Sequence, residues 1–352
     1  MQAQSKAAAP LAVPQFNGLR STLLARGGHQ LIIIALIIIV GLAIYWIQPR
    51  FLSAYSIDNI LRTASIYGIV ALGMTLVIIT GGIDLSAGSM MALGGALAAG
   101  LLGTAFGAAN PLSFPPMVAI LIALAVAASI GMLNGLAISA LGMAPFVVTL
   151  GMMTVVRGLT FIFADFTVGS VPGSPITFMD SLFSWLGSGS FGPIPTAAAL
   201  FLTLAVILSI VLRFTPFGRS IYAIGGDAEI ARLAGINVPL VIVGVYALMG
   251  MLAGLGGVVQ AGRLSSVSPL MGVGYELDII TIVVVGGASL AGGRGTVFGT
   301  VLAAILISLI DNGLTMMNVP SFYQYLVKGS VLLAAVILDQ WYQRHRAAMA
   351  TA

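Results

Sequence analysis

The chain has 352 residues, of which 59% are hydrophobic and only 7% charged, with a net charge of +4. A soluble domain carries about 25% charged residues, so the composition excludes a water-soluble globule and makes lipid the solvent for most of the chain. There is no cysteine, and the two histidines, His29 and His345, lie near the ends, so disulfides, thiolate metal sites and histidine-based catalytic triads have almost no raw material.

Residues 1–30 are polar or small and read as a tail. Leu31 to Ile47 is the first apolar run. It ends in Gln48-Pro49-Arg50 without a small-residue cleavage site, which predicts an uncleaved span rather than a removed signal peptide. With about 20 apolar residues per crossing, ten segments qualify, at 31–47, 63–80, 87–106, 117–140, 144–163, 196–213, 239–262, 278–291, 296–316 and 322–339. The expected fold is all-α and polytopic. It has a transmembrane domain over 31–340, the N-terminal tail, and a C-terminal tail over 341–352.

Between the second and third spans lies "ITGGIDLSAGS", Ile79 to Ser89. One reading is structural: Gly81-Gly82 ends one helix, and Asp84 or Ser86 caps the next. The other is a broken helix whose amides and carboxylate face a solute route, since interrupted helices are tolerated at membrane depth only where they line protein or water. A gate contact near the inner mouth is the third.

Further along, Asn134, Thr149, Asn312, Tyr323 and Gln324 are uncharged hydrogen-bonding groups within spans. Each is either a helix-packing contact or part of the lining that a neutral solute needs. Arg157 and Lys328 lie toward the outer ends of their spans, where they either snorkel to the interface or face inward. Asp311 is the one acid well inside a span's limits.

Two connections are long. Asp165 to Pro195 holds no Lys or Arg and contains "SPITFMDSLFSWLGSG", which predicts a short amphipathic helix on the membrane face. Phe214 to Val238 is the most polar internal stretch. There Asp227 can cap a helix over Ala228 to Leu233, Gly235 can end it, and Pro239 opens the next span. A helix this short is unstable alone, so it is either an ordinary solvated loop or a knob that another protein grips.

Orientation follows from Lys and Arg. With an inner N-terminus and ten spans, nine (Lys6, Arg20, Arg26, Arg213, Arg219, Arg232, Arg294, Arg344 and Arg346) fall inside, against three outside, Arg50, Arg62 and Arg263. That bias predicts both termini in the cytoplasm. Shifting the chain by 176 positions aligns Gly68, Ala71, Leu72, Leu76 and Gly81 with Gly244, Ala247, Leu248, Leu252 and Gly257, and Phe146 and Leu150 with Phe322 and Leu326. This points to an inverted repeat of spans two to five with seven to ten. A rival shift of 205 pairs "GGIDLSAG" with "GGASLAGG".

"TGGIDLSAGS", "PFVVTLGM", "PFGRSIYAIGGD", "AEIARLAGI" and "GGASLAGGRGTVFGT", in this order from about Ile57 to Leu338, resemble the permeases of ABC importers, and among them the ribose-type sugar branch. The resemblance implies a one-plus-ten-span core with inverted symmetry and a multi-pass protein of the bacterial inner membrane. It also implies a coupling helix at Asp227, Glu229, Ala231, Arg232 and Gly235 docked in a groove of an ATP-hydrolysing subunit. Of these, Glu229, Ala231 and Gly235 fall on the family's pattern. It further implies a second permease copy, identical or not, and a periplasmic binding protein that delivers a monosaccharide, ribose or a similar pentose or hexose. The residue reading above supplies Asp84, Ser86, Asn134, Thr149, Asn312, Tyr323 and Gln324 as candidates for its path. The chain has no G-x-x-x-x-G-K-[ST] phosphate loop, so ATP belongs to the partner subunit and no cofactor, metal or nucleic acid is expected here. "GGRGT", Gly292 to Thr296, reads as a tight turn. An ion-coupled secondary sugar transporter is the alternative, with Asp311 as a thin proton relay. A membrane enzyme, the third reading, would need a nucleophile and a base within reach of each other, and the absence of cysteine, the two histidines near the chain ends and the few acids within spans fit it poorly.

Overall fold

The structure, a computed structural model, describes residues 18–102, 113–169 and 173–351, with side chains from 28 to 337 within those ranges. Residues 1–17, with Lys6, and the far end of the third predicted span lie outside the described residues, and the side chains of Arg20, Arg26, Arg344 and Arg346 lie outside the described side chains.

Among the described residues the chain forms thirteen α-helices: α1 (Gly18–Ile47), α2 (Ala54–Ile79), α3 (Ala87–Gly100), α4 (Pro116–Ala140), α5 (Pro145–Val168), α6 (Ser181–Ser188), α7 (Thr196–Phe214), α8 (Pro216–Gly226), α9 (Ala228–Leu233), α10 (Val238–Leu264), α11 (Tyr275–Val285), α12 (Val297–Met316) and α13 (Ser321–Thr351). Proline opens α4, α5, α8 and α10, where its missing N–H costs nothing and its fixed φ suits the first turn. Among the described residues, two small antiparallel ladders are formed by the connections. β1 (Ile176–Thr177) pairs with β4 (Ser266–Val267), and β2 (Ser190–Phe191) with β3 (Ile194–Pro195).

Each of the ten predicted segments overlaps a helix, although the eighth, 278–291, runs six residues beyond the end of its helix at Val285. Seven are long and apolar enough to cross a membrane. Among the described residues α13, whose apolar stretch is Ser321–Ile337, falls just short, and α3 and α11 fall well short: their 14 and 11 residues span about 21 and 16 Å at 1.5 Å per residue, against about 30 Å of hydrocarbon. Both begin after irregular chain, and their starts meet. A Cβ on Gly88 would collide with the Gly272 carbonyl oxygen and lie 2.6 Å from Glu276 Oε2. Only glycine permits that approach.

α2 is the axis of the fold, fully buried from Ala64 to Ile79. It packs against α7, α10, α11 and α12, while α10 packs against α2, α3 and α4. The packing is symmetric in kind. α4 lies on α10 as α12 lies on α2. α3 touches α10, α4 and α5, as α11 touches α2, α12 and α13. This is the pairing that an inverted repeat of spans two to five with seven to ten requires.

The shift of 176 fits the ends of the two halves: Pro145 and Ser321 both open their helices, so Phe146 and Leu150 stand in register with Phe322 and Leu326. It does not fit the first pair. Gly81 lies beyond the end of α2, but Gly257 is inside α10. The rival shift joins the α2–α3 connection to the α11–α12 connection, which hold different places in the two halves.

Candidate functional site

Polar groups gather at three places: a capped knob at one end of the bundle, a buried knot beside it, and a charged triad toward the other end.

The knob is α8 with α9. Asp227 breaks the chain between them (φ −161°, ψ 112°) and caps α9, its Oδ1 accepting from the N–H of Glu229 at 2.9 Å and of Ile230 at 3.0 Å. Arg232 pairs with Glu229 at 2.6 Å in solvent, a contact of at most about 0.5 kcal/mol. Ala231 is buried, whereas Ile230 and Leu233 are 65% and 79% exposed. Gly235 turns the chain with φ +86°, and Asn237 caps α10 by accepting from Leu240 N at 3.1 Å. The knob is wired inward. Tyr222 Oη donates to Gly295 O at 2.8 Å, and Gly293 N donates to Ile79 O, the end of α2, at 2.8 Å. Gly225 lies against both Ile79 and Gly293, with no room for a side chain. The "GGRGT" turn thus packs where α8 meets α2, bound to both.

Next to that junction lies the buried knot. Asp84, Ser86, Asn134 and Thr149 are all fully buried. Asp84 Oδ1 accepts from Ser86 N at 2.8 Å and Ser86 Oγ at 2.5 Å, and Asn134 Nδ2 donates to Ser86 Oγ at 3.2 Å. Thr149 Oγ1 and Tyr246 Oη each donate to Ile83 O at 3.3 Å. Asp84 therefore shapes the turn before α3 without capping it. Ser86 is the N-cap position, and its side chain makes no cap bond. Asp84 Oδ2 and Asn134 Oδ1 have no hydrogen-bond partner among the described residues. Tyr246 is a member that sequence reasoning missed; nothing distinguishes it from any other aromatic on a buried helix. Ser86→Ala should destabilise the protein by about 1–3 kcal/mol, because it strips partners from a buried carboxylate and a buried amide. A thermal melt in detergent reads this, and an unchanged midpoint would show the knot to be idle.

At the opposite end, Asn312 sits in a chain of side chains. Its Nδ2 donates to Ser56 Oγ at 2.7 Å and its Oδ1 accepts from Asn59 Nδ2 at 2.7 Å. Arg263 continues the chain, donating to Asn59 Oδ1 at 2.5 Å and Thr63 Oγ1 at 3.1 Å. Gln324 faces the same region, its Nε2 donating to Val319 O at 2.9 Å. Tyr323 does not. It is exposed beside Phe322.

Neither span-borne cation snorkels. Lys328 Nζ lies 2.9 Å from Asp278 Oδ2 and 3.0 Å from Asp311 Oδ2, joining α13 to α11 and α12. Arg157 Nη1 donates to the carbonyls of Pro269 and Met271 at 2.6 and 2.7 Å, holding the connection that leads into α11. Asp311 is thus paired with a lysine rather than free.

The short helix predicted between Asp165 and Pro195 exists as α6. Asp180 caps it through Leu182 N and Phe183 N at 2.9 and 3.1 Å, and it packs on α10.

Compared with known proteins, residues 56–336 match the family described as the permease component of the branched-chain amino acid transport system. The chain belongs to this permease family. Among its relatives is the ribose import permease protein RbsC of Bacillus subtilis, 43% identical over 307 residues, 87% of this chain and 89% of that one. RbsC of Escherichia coli K12 is 40% identical over 311 residues, 88% and 93% of the two chains. The galactose/methyl galactoside import permease protein MglC of Salmonella typhimurium is 38% identical over 326 residues, 90% and 95% of the two. No solved structure matches the chain.

Proposed function

We propose that this chain is the transmembrane subunit of an ATP-driven importer that passes a monosaccharide, ribose or a similar pentose or hexose, across the bacterial inner membrane. The observation that carries this reading is near-full-length similarity to permeases named for ribose and for galactose import. The permease performs no covalent step. It supplies a path, and a separate ATP-hydrolysing subunit moves it.

The α8–α9 end is cytoplasmic in this reading, and both termini lie inside. Arg213, Arg219, Arg232 and Arg294 stand at that end, against Arg50, Arg62 and Arg263 at the other, the bias that sets orientation. Ile230 and Leu233 on α9 are the contact for the ATPase, with Asp227, Glu229, Ala231, Arg232 and Gly235 holding them in place. A push on α9 reaches Ile79 through Gly225 and Gly293, and so acts on the buried axis of the fold and on the turn held by Asp84 and Ser86.

The periplasmic binding protein docks at the α6 end. A second permease copy completes the path. Gly151 and Gly158 on α5 have open space above them, which suits close helix approach in a membrane.

The test is sugar uptake into membrane vesicles. Uptake should persist when the proton gradient is collapsed with ATP present, and stop when ATP hydrolysis is blocked. An ATPase should co-purify. Uptake that follows the proton gradient and ignores ATP would instead establish the ion-coupled alternative.

A further inference from the structure

Between α2, α12 and α13, at the α6 end, lies a cavity of about 220 Å³. Its walls include Asn59, Thr63, Asn312, Thr315, Gln324 and Lys328. A second recess of about 150 Å³ on the α11 side shares Gln324 and Lys328 with it. We propose that this cavity is a binding subsite for a neutral polyhydroxylated solute of monosaccharide size, entered from the α6 end. The inference rests on the importer reading above and adds to it a place where the sugar sits inside the permease.

Size, polarity and charge converge on that class of ligand. Sites for drug-sized molecules run from about 300 to 1,000 Å³ and are mostly apolar. This one is smaller, and polar residues dominate its walls in a chain that is 59% hydrophobic. Such a lining suits a solute made of hydroxyl groups. The charges around it cancel. Lys328 is matched by Asp278 and Asp311, and Arg263, bound to Asn59 and Thr63, supplies the second positive charge. A site without net charge gives no advantage to an anion or a cation.

Bonding capacity remains for a ligand. Asp311 Oδ1 is buried and has no hydrogen-bond partner among the described residues, although its other oxygen holds Lys328. Buried polar atoms are normally satisfied, and a hydroxyl donating to a carboxylate makes one of the stronger hydrogen bonds. Tyr67 also lines the cavity, with Lys328 Nζ 5.9 Å over its ring.

The chain contains no cysteine, so Thr315→Cys places a single thiol on the cavity wall, and Ser188→Cys places one on the exposed surface of α6. Each variant, in vesicles with its ATPase, is treated with a membrane-impermeant maleimide with and without D-ribose, D-xylose or D-galactose. At about ten times the dissociation constant, the sugar should slow labelling of Thr315→Cys about tenfold, because only the unoccupied fraction, about one in eleven, reacts. Ser188→Cys should be unaffected. Unchanged labelling at sugar concentrations that saturate uptake would overturn the inference, as would equal slowing of both thiols. As a second measurement, Gln324→Leu with Thr315→Val should lower uptake about tenfold or more, each lost hydrogen bond to a bound ligand being worth up to about tenfold in affinity. Uptake within about twofold of the parent, on the same scale, overturns the inference. Uptake by the parent chain is recorded alongside. If it takes up none of the three sugars, the importer reading falls and the subsite with it. If it takes them up without protection of Thr315→Cys, the subsite alone falls.

Discussion

Replacing Lys328 with methionine is expected to destabilise the protein by about 3–5 kcal/mol, the cost of leaving buried charge unpaired. Lys328 Nζ bridges Asp278 and Asp311 at 2.9 and 3.0 Å, with 18%, 10% and 14% of the three side chains exposed. Methionine matches the stem but removes the charge, so two carboxylates remain face to face with no cation. The helix at stake is α13. It packs chiefly on α11, and the Lys328 pairs are its charged ties to α11 and α12. The triple variant Lys328→Met, Asp278→Asn, Asp311→Asn keeps the volumes and removes all three charges, and it should recover most of the loss, since neutral replacement of a buried ionic group is often tolerated. Heat-induced aggregation in detergent measures both. If the single variant melts with the parent, the triad is not holding the helix. If the triple variant melts no higher than the single one, the loss comes from packing rather than from charge.

That triad also marks where sequence reading stops. The ten apolar runs were legible because a helix in lipid must satisfy its own backbone and cover itself with apolar side chains, and both demands are written locally. The capped elements were legible for the same reason. Asp227 before Ala228 is a contact across two or three residues; Asp180 before Ser181 is another of the same kind, although the sequence reading named no cap there. Lys328 finds Asp278 across 50 residues, and no spacing rule joins them. Arg157 binds two backbone carbonyls, which leave no mark in a sequence at all. Pattern alone therefore allowed both cations to snorkel, where the fold turns both inward.

The half-length helices were blurred for another reason. α3 and α11 start after irregular chain and lie among glycines, so hydropathy merges their ends with the connections beside them. Glycine there is a consequence of contact. Gly88 meets Gly272, and a Cβ on Gly94 would run into the backbone of Gly254. Such contacts say how near two backbones come, but the sequence does not say which two. The repeat suffered similarly. Its register could be read where α5 and α13 open, because Pro145 and Phe146 stand beside a chain turn. It could not be read along α2 and α10, where small and apolar residues recur so often that a wrong alignment matches as well as the right one.

Ile230→Asp together with Leu233→Asp is expected to abolish ATP-driven uptake while leaving the bundle intact. The two side chains stand exposed on a six-residue helix, at the polar end of a chain that elsewhere gives its apolar surface to lipid. Burying each against a partner is worth about 1.5–3 kcal/mol, so losing both costs at least about 100-fold in affinity, before the penalty for burying new carboxylates. The helix itself should persist, because Asp227 still caps it and Arg232 still pairs with Glu229. The variant should therefore melt with the parent and still expose the same cavity at the α6 end, yet fail to retain the ATPase on a column. Gly225→Val should give the opposite pattern. A side chain there would strike Ile79 O and the Gly293 amide, parting α8 from α2 but leaving the outer face of α9 unchanged, so the ATPase would be retained and ATP hydrolysed without uptake. If both variants transport sugar at the parent rate, α9 is not the lever. If the first loses uptake but keeps the ATPase, binding lies elsewhere and α9 acts only in transmitting the stroke.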